Sequence, residues 1–262
     1  MNLRPERDRY VPLVTLNRHT SSRPASTGRR ALLRAAVAGT AATAAAGTAM
    51  TLGAASATAA PPATATGTPR SPDEALRELA AGNRRWRTFH QRHPHETPYA
   101  RESLVSGQNP FAVVLGCIDS RVPPELVFDQ GLGDLMTVRS AGEVLDEAVL
   151  GSIAYGVLEL GVPLILVLGH QSCGAVSAAV RADETGEQLP RHIQYVADQI
   201  RPAIDQSRHG DARIDSTITR NVGMIRTRLA ADPDLADRVG TGKLAIVGAR
   251  YELHSQRVHA VT

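Results

Sequence analysis

The stretch SPDEALRELAAGNRRW, residues 71–86, repeats its apolar side chains with the period of an α-helix. Ser71 is a favourable N-cap, Pro72 suits the first helical position, and Glu74 completes a capping box three residues after the cap. The residues that share one face of this helix are Leu76, Leu79, Ala80, Asn83 and Trp86. The pattern predicts a helix over residues 71–90, followed by an irregular segment over 91–108.

Four short apolar runs follow, and their lengths are typical of buried β-strands. They cover residues 111–117, 134–142, 162–170 and 243–253, and the third run, VPLILVLGH, is the most apolar. Helical patterns separate or follow them at residues 146–161, 173–182, 190–207 and 215–231. This order predicts an α/β fold: a mainly parallel β-sheet flanked by helices, with the third run at its centre and an extended N-terminal helix before it.

The first 60 residues differ in composition from the rest of the chain. They hold eight arginines and two acidic residues, whereas residues 61–262 hold 21 basic and 24 acidic residues. Arg29 and Arg30 precede an uncharged stretch rich in Ala, Gly and Thr. This order resembles a twin-arginine signal peptide. A retained membrane anchor and a disordered tail are the alternatives.

These features divide the chain into a leader over residues 1–60, a linker over 61–70 and one domain over 71–262. We expect export, cleavage of the leader near residues 57–60, and a mature protein in the periplasm, the cell envelope or the medium, without a membrane span. Aromatic residues make up only 3% of the chain, and the domain is mildly acidic. Both properties argue against a nucleic-acid partner.

The two cysteines of the chain lie in short runs that also contain other metal-type side chains. LGCIDSR places Cys117 two residues before Asp119, and LGHQSCGAV places His170 three residues before Cys173. Both runs follow predicted strands, and ligands of parallel sheets bind at the carboxyl ends of strands. Two thiolates and an imidazole, with a fourth position open, suit a catalytic zinc ion. A disulfide is the alternative, but it does not explain the neighbouring polar residues.

The runs CIDSR and GHQSCGAV together resemble the motifs of the β-class carbonic anhydrases. The resemblance extends over EALRELAAGNRRW, GQNPFAVVLGC, GDLMTVRSAG, LGSIAYGV and KLAIVGARYEL, and so covers residues 71–258. It implies that residues 71–262 form a catalytic domain with one zinc ion per chain, bound by Cys117, His170 and Cys173. It further implies that the domain hydrates carbon dioxide reversibly to bicarbonate and a proton, by attack of a zinc-bound hydroxide.

The resemblance also implies roles for other residues. Asp119 and Arg121 would form a catalytic dyad, with Asp119 binding zinc only in a closed state of the site. Gln108 would donate a hydrogen bond to the substrate, and Gly174 would offer a backbone N–H beside the metal. The residues that would line the small apolar pocket are Tyr155, Met136 and Ala141. The assembly would be a homodimer or a tetramer of dimers, with the opening helix wrapped around the partner subunit.

The chain departs from the family pattern after the second predicted strand, where Ser140 and Glu143 replace two asparagines. Val114 occupies the position of a tryptophan in the branch regulated by bicarbonate, so that regulation is not expected here. Two other functions stay open. One is a zinc hydrolase acting on a related small electrophile, CS₂ or COS, and the other is a non-catalytic interaction domain stabilised by zinc or a disulfide. The histidines that no motif uses are His90, His93, His95, His254 and His259.

Overall fold

The computed structural model describes residues 67–261, and the leader over 1–60 and most of the linker lie outside these residues. Five strands form one sheet in the order β2-β1-β3-β4-β5. Strands β1 to β4 run parallel, and β5 pairs antiparallel with β4. Their bounds are β1 Ala112–Gly116, β2 Leu135–Arg139, β3 Leu164–His170, β4 Ala245–Tyr251 and β5 Val258–Val261. The predicted α/β fold, with the most apolar strand at its centre, is confirmed.

Eight α-helices surround this sheet within the described residues. Their bounds are α1 Pro72–Arg87, α2 Pro98–Ser103, α3 Pro124–Val127, α4 Glu147–Leu158, α5 Gly174–Thr185, α6 Arg191–Ile200, α7 Gly210–Ala230 and α8 Pro233–Gly240. Each of the five predicted helices has a counterpart. Short 3-10 turns lie at Leu104–Ser106, Ala141–Glu143 and Arg201–Ala203. None of the helices in residues 67–261 is long and apolar enough to cross a membrane.

The opening helix α1 begins as its sequence predicts. The Ser71 hydroxyl accepts a hydrogen bond from the Glu74 N–H, and the Glu74 carboxylate accepts one from the Ser71 N–H, which completes the capping box. Its apolar face buries Ala75 and Leu79 in the same cluster as Phe111 and Phe128. The helix therefore packs on its own sheet. Its contact with a partner subunit, which the resemblance implies, stays a prediction.

The sheet has a separate hydrophobic core on each face. One core combines side chains of β1 and β3 with α4, α7 and α8, and the other combines the opposite sides of the strands with α1 and α3. A third cluster lies at the carboxyl ends of the strands and contains Cys117, Cys173 and residues of α5, α6 and α7. The two turns that contain Cys117 and Cys173 therefore pack against buried residues of these helices.

Candidate metal centre

Two neighbouring strands deliver the two cysteine-containing turns to one point. Gly116 of β1 is in register with Leu168 of β3, so Cys117 and His170 leave the sheet side by side. Cys173 is the N-cap of α5, which turns back along the sheet. Sulfur and nitrogen atoms from Cys117, His170 and Cys173 all lie within 4.8 Å of one another, and all three residues are buried. The expected convergence of the two turns is present in the fold.

The cysteines are free, and their spacing matches a shared metal ion better than a bond between them. The two Sγ atoms lie 3.9 Å apart, whereas a disulfide needs about 2 Å. Two thiolates at the usual zinc–sulfur distance of about 2.3 Å, at a tetrahedral angle, stand about 3.8 Å apart. The sulfur positions therefore fit a tetrahedral zinc ion without rearrangement.

His170 presents one ring nitrogen to the same point. Its Nδ1 lies 2.9 Å from the carbonyl oxygen of Gln171, which can only accept a hydrogen bond, so Nδ1 carries the proton. Its Nε2 is buried and has no hydrogen-bond partner among the described residues. A buried unpartnered nitrogen is costly unless a ligand satisfies it. The residues present therefore fit a bound metal, and the Gln171 carbonyl orients the imidazole for it.

The two thiols are strongly coupled across their 3.9 Å contact. A hydrogen bond from the Cys173 thiol lowers the pKa of Cys117 against the opposing effect of burial, and the Gly142 N–H also favours the thiolate. The pKa of Cys173 is raised, first by the hydrogen bond to Cys117 and then by burial. Both cysteines bind a divalent cation as thiolates, so metal binding would release the protons that they hold.

Asp119 is held beside the candidate metal position by Arg121. Its Oδ1 accepts hydrogen bonds from the Arg121 backbone N–H at 3.0 Å and Nε at 2.9 Å, and its Oδ2 accepts one from a terminal guanidinium nitrogen at 2.7 Å. These bonds lower the pKa of Asp119 to about 2. Asp119 Oδ2 is 3.9 Å from His170 Nε2. Arg121 also donates to the Ser172 carbonyl at 3.2 Å, and so connects the two ligand-bearing turns.

Arg139, for which the sequence predicted no role, stabilises the turn that contains Cys117 and Asp119. At the end of β2, its guanidinium donates to the carbonyl oxygens of Cys117 and Asp119, each at 2.7 Å. The next residues form a turn in which the Gly142 N–H points at Cys117 Sγ, 3.4 Å away. The sequence gives no specific signal for this role, because an arginine at a strand end has many other uses.

The two departures from the family pattern lie in this same turn. Ser140 closes it by donating its hydroxyl to the Val144 carbonyl at 2.7 Å. Glu143 is almost fully buried, and burial followed by the charge of Cys117 raises the pKa of its carboxyl well above the usual range. The Asn221 amide of α7 donates to the Gly142 carbonyl at 2.9 Å and lies 3.5 Å from Glu143. Burial therefore favours the neutral form of the Glu143 carboxyl, which packs next to the site.

A cavity of about 440 Å³ opens beside the candidate metal position. Ala141 and Gly174 line it, as the resemblance implies. Most of its wall is apolar, and the residues that form the wall are Cys117, Ile118, Asp119, Ala141, Gly174, Ala175, Ala178, His192, Ile193, Val196 and Ala197. A small uncharged molecule can reach the metal position through this opening, because the walls offer few polar groups that would hold water.

Three expected pocket residues lie elsewhere in the chain. Gln108 is exposed and lines a separate surface depression with Val105 and Leu132. Met136 on β2 packs under Gly156 of α4, and neighbouring Tyr155 is half exposed. None of the three lines the cavity of its own chain.

Comparison with known proteins places the whole arrangement in a family. The family model described as "Carbonic anhydrase" matches residues 112–258. "Carbonic anhydrase 2" of Mycobacterium tuberculosis is 42% identical over 189 residues, covering 71% of this chain and 91% of that protein. A carbonic anhydrase of Mycolicibacterium smegmatis is 42% identical over 72% of this chain and 92% of its own length.

Solved structures show the same fold. The β-carbonic anhydrase CcaA superposes with a TM-score of 0.58 at 24% identity, over 71% of this chain and 94% of that one. A tetrameric β-carbonic anhydrase of Sordaria macrospora superposes with a TM-score of 0.58 at 19% identity, over 71% of this chain and 96% of that one. With the fold, the Cys-His-Cys group and these relatives together, the chain belongs to the carbonic anhydrase family and is an enzyme with the fold of the β-carbonic anhydrases.

Proposed function

We propose that this enzyme uses zinc to hydrate carbon dioxide reversibly to bicarbonate and a proton. The observation that carries the proposal is the buried group of two sulfur atoms and one unpartnered imidazole nitrogen beside an open, mostly apolar cavity. Three protein ligands with an open fourth position are the pattern of a catalytic zinc site. A zinc ion held there would supply a Lewis acid that makes a water molecule nucleophilic at neutral pH.

The residues around the cavity have separate tasks in this proposal. Cys117, His170 and Cys173 hold the ion. Asp119 accepts a hydrogen bond from the reacting water and so aims its lone pair at the substrate carbon. Arg121 keeps the carboxylate charged and away from the metal position through three hydrogen bonds. The apolar wall accepts the uncharged substrate, and Gly174, the first residue of α5, lines the cavity, where its N–H would stabilise a developing negative charge.

A second copy of the chain completes the pocket in this proposal. Gln108, Met136 and Tyr155 do not line the cavity of their own chain, and apolar side chains are exposed around Gln108: Val105 is 86% exposed and Leu132 is 50% exposed. An exposed apolar surface of this kind is typical of an interface. We propose a homodimer, or a tetramer of dimers, in which the partner supplies these three residues to the cavity. The tetrameric assembly of the Sordaria relative supports this proposal.

Export is a further part of the proposal, and it rests on the sequence of residues 1–60 alone. The twin arginines and the uncharged stretch behind them suit a pathway that carries folded proteins, so zinc can be bound before the thiols meet an oxidising environment. Mass analysis of the protein recovered from outside the cytoplasm tests this: a mature chain should begin near Ala60. Recovery of the intact leader on exported protein would refute cleavage.

An assay of the purified mature chain separates the proposed reaction from its two alternatives. Stopped-flow measurement with CO₂, CS₂ and COS as substrates should show the highest kcat/KM for CO₂. Preference for CS₂ or COS would assign the enzyme to the related hydrolases. No turnover of any of the three by zinc-loaded protein would favour the non-catalytic interaction domain.

A further inference from the structure

His192 shares the cavity with the candidate metal centre. It lies in the first turn of α6, which packs against α5 through the buried residues Ala197 and Ile200. From there it lines the same cavity as Cys117 and Asp119, and it is exposed to solvent. His192 is therefore in contact with both the cavity and the surrounding solvent.

His192 is also the one ionisable side chain of the cavity wall that has no other task. The other two are Cys117, whose sulfur belongs to the candidate metal site, and Asp119, which is paired with Arg121 and is proposed to orient the reacting water. Within residues 67–261, His192 takes part in no ion pair, and its ring forms no hydrogen bond with another residue of the described chain. Its nitrogens are thus free to bind water.

The proposed reaction creates a need for such a group. Hydration of CO₂ consumes one water molecule and releases bicarbonate and one proton for each turnover, and that proton must leave an otherwise apolar cavity. Imidazole is the side chain that takes up and releases protons near neutral pH. At roughly 30 Å³ for each water molecule, the cavity of about 440 Å³ has room for the substrate and a chain of several waters.

We propose that His192 carries the released proton from the cavity to solvent. This inference rests on the proposed CO₂ hydration. An O–H bond of the reacting water breaks, its proton passes along bridging water to a ring nitrogen of His192, and the imidazolium then gives a proton to buffer outside. No oxidant or further reactant is needed, and the reverse path supplies a proton when bicarbonate is dehydrated.

The test is the His192→Ala variant, with His209→Ala as the matched control. His209 is an exposed histidine before α7 whose side chain makes no capping bond and does not line the cavity. In dilute buffer, His192→Ala should lower kcat by about tenfold. This loss is smaller than proton-transfer groups typically contribute, because water can carry part of the proton transfer in the variant. Its kcat/KM, measured by isotope exchange between CO₂ and bicarbonate at equilibrium, should stay at the wild-type value.

Concentrated imidazole buffer should restore kcat in His192→Ala, and His209→Ala should match the wild type throughout. Unchanged kcat of His192→Ala in dilute buffer would overturn the assignment, as would an equal loss of kcat and kcat/KM that imidazole does not restore. These results differ from failure of the proposed function itself, in which the wild type would show no exchange between CO₂ and bicarbonate.

Discussion

Hydrogen bonds from Arg121 fix the position of Asp119, which determines the role proposed for this residue in catalysis. Its carboxylate is fixed by Arg121 and lies near the candidate metal position without belonging to the Cys-His-Cys group. The resemblance of the CIDSR motif to the family implied this pairing. The sequence could not predict the hydrogen bonds from Arg139 to the Cys117 and Asp119 carbonyls or the position of His192 beside the cavity. Both depend on contacts between elements that are far apart in the chain.

Replacing Asp119 with alanine should leave the metal bound and lower kcat by about 10²- to 10⁴-fold, the range of positioned acid–base and orienting groups. The reason is that the side chain aims the reacting water but is not needed to hold the ion. Because Arg121 lowers the pKa of Asp119 to about 2, this carboxylate stays charged across any neutral or alkaline assay. The loss should therefore be similar at every pH above about 6, where the ordinary carboxyl range has been passed.

Metal analysis and stopped-flow assays of Asp119→Ala check this expectation. Arg121→Ala is the companion variant: it should also lose turnover, because the freed carboxylate can then move to the open metal position. Full activity of Asp119→Ala with its metal retained would contradict the role assigned to the CIDSR motif.

Glu143 should make stability depend on pH above the usual glutamate pKa of about 4.3. Its folded-state pKa is raised by burial, so the folded protein holds a proton that the unfolded chain releases above the usual glutamate pKa of about 4.3. The stability associated with the protonated form is therefore complete in acid and declines as the pH rises towards the folded-state pKa. Glu143→Gln keeps the shape without the ionisation, and it should gain stability over the wild type as the pH rises.

Thermal denaturation of both proteins from about pH 4 upwards, starting below the usual glutamate pKa, measures this difference. A constant difference in Tm between Glu143→Gln and the wild type over the whole range would show that Glu143 is not a buried neutral acid.

At the scale of elements, hydrophobic periodicity predicted the long segments and missed the short ones. The central strands and α1, α4, α5, α6 and α7 follow from their patterns. In contrast, α2 and α3 have six and four residues, and β5 has four, too few to display a period. The pattern also could not show that β5 pairs antiparallel with β4, because strand direction is set by the turn at residues 252–257 and not by apolar spacing.

Gly82 shows how close packing between elements constrains one position of α1. A Cβ atom at Gly82 would lie 1.7 Å from the carbonyl oxygen of Phe128, which is backbone and cannot move aside. Gly82→Ala should therefore lower the free energy of unfolding by about 3 kcal/mol, the upper part of the range for overpacking. Gly151→Ala in α4 is the matched control, since nothing lies within 4 Å of its Cβ position.

Gly151→Ala should stabilise the protein by up to about 1 kcal/mol, because alanine loses less backbone entropy in a helix than glycine. Urea denaturation of the two variants measures both effects. Equal stability of Gly82→Ala and the wild type would mean that α1 does not approach the Phe128 carbonyl at the end of α3 as closely as described.

At the scale of the whole molecule, one chain carries the metal ligands while three expected pocket residues face away from its cavity. The motifs could predict which residues belong to the site. They could not predict whether a residue comes from the same chain or from a second copy, because that depends on how the subunits assemble. Sedimentation velocity at micromolar concentration should give the mass of a dimer or of a larger even-numbered assembly. A Val105→Asp, Leu132→Asp double variant should shift that mass towards the monomer and lose activity with its metal still bound, because buried charge opposes association.

A monomeric mass for the active wild-type protein would contradict this assignment of Gln108, Met136 and Tyr155 to a partner's pocket. The exposed apolar side chains around Gln108 would then need another explanation.

The proposed catalytic metal is tested most directly by removing it and adding it back. Treatment with a chelator should abolish CO₂ hydration, and titration with zinc should restore turnover in proportion to bound metal, with a break at one equivalent per chain. Cys173→Ser should bind little zinc and recover little activity, because one thiolate ligand of the buried group is gone. Hydration that persists in the metal-free protein, or a Cys173→Ser variant that binds one zinc and turns over like the wild type, would contradict a catalytic zinc site at Cys117, His170 and Cys173.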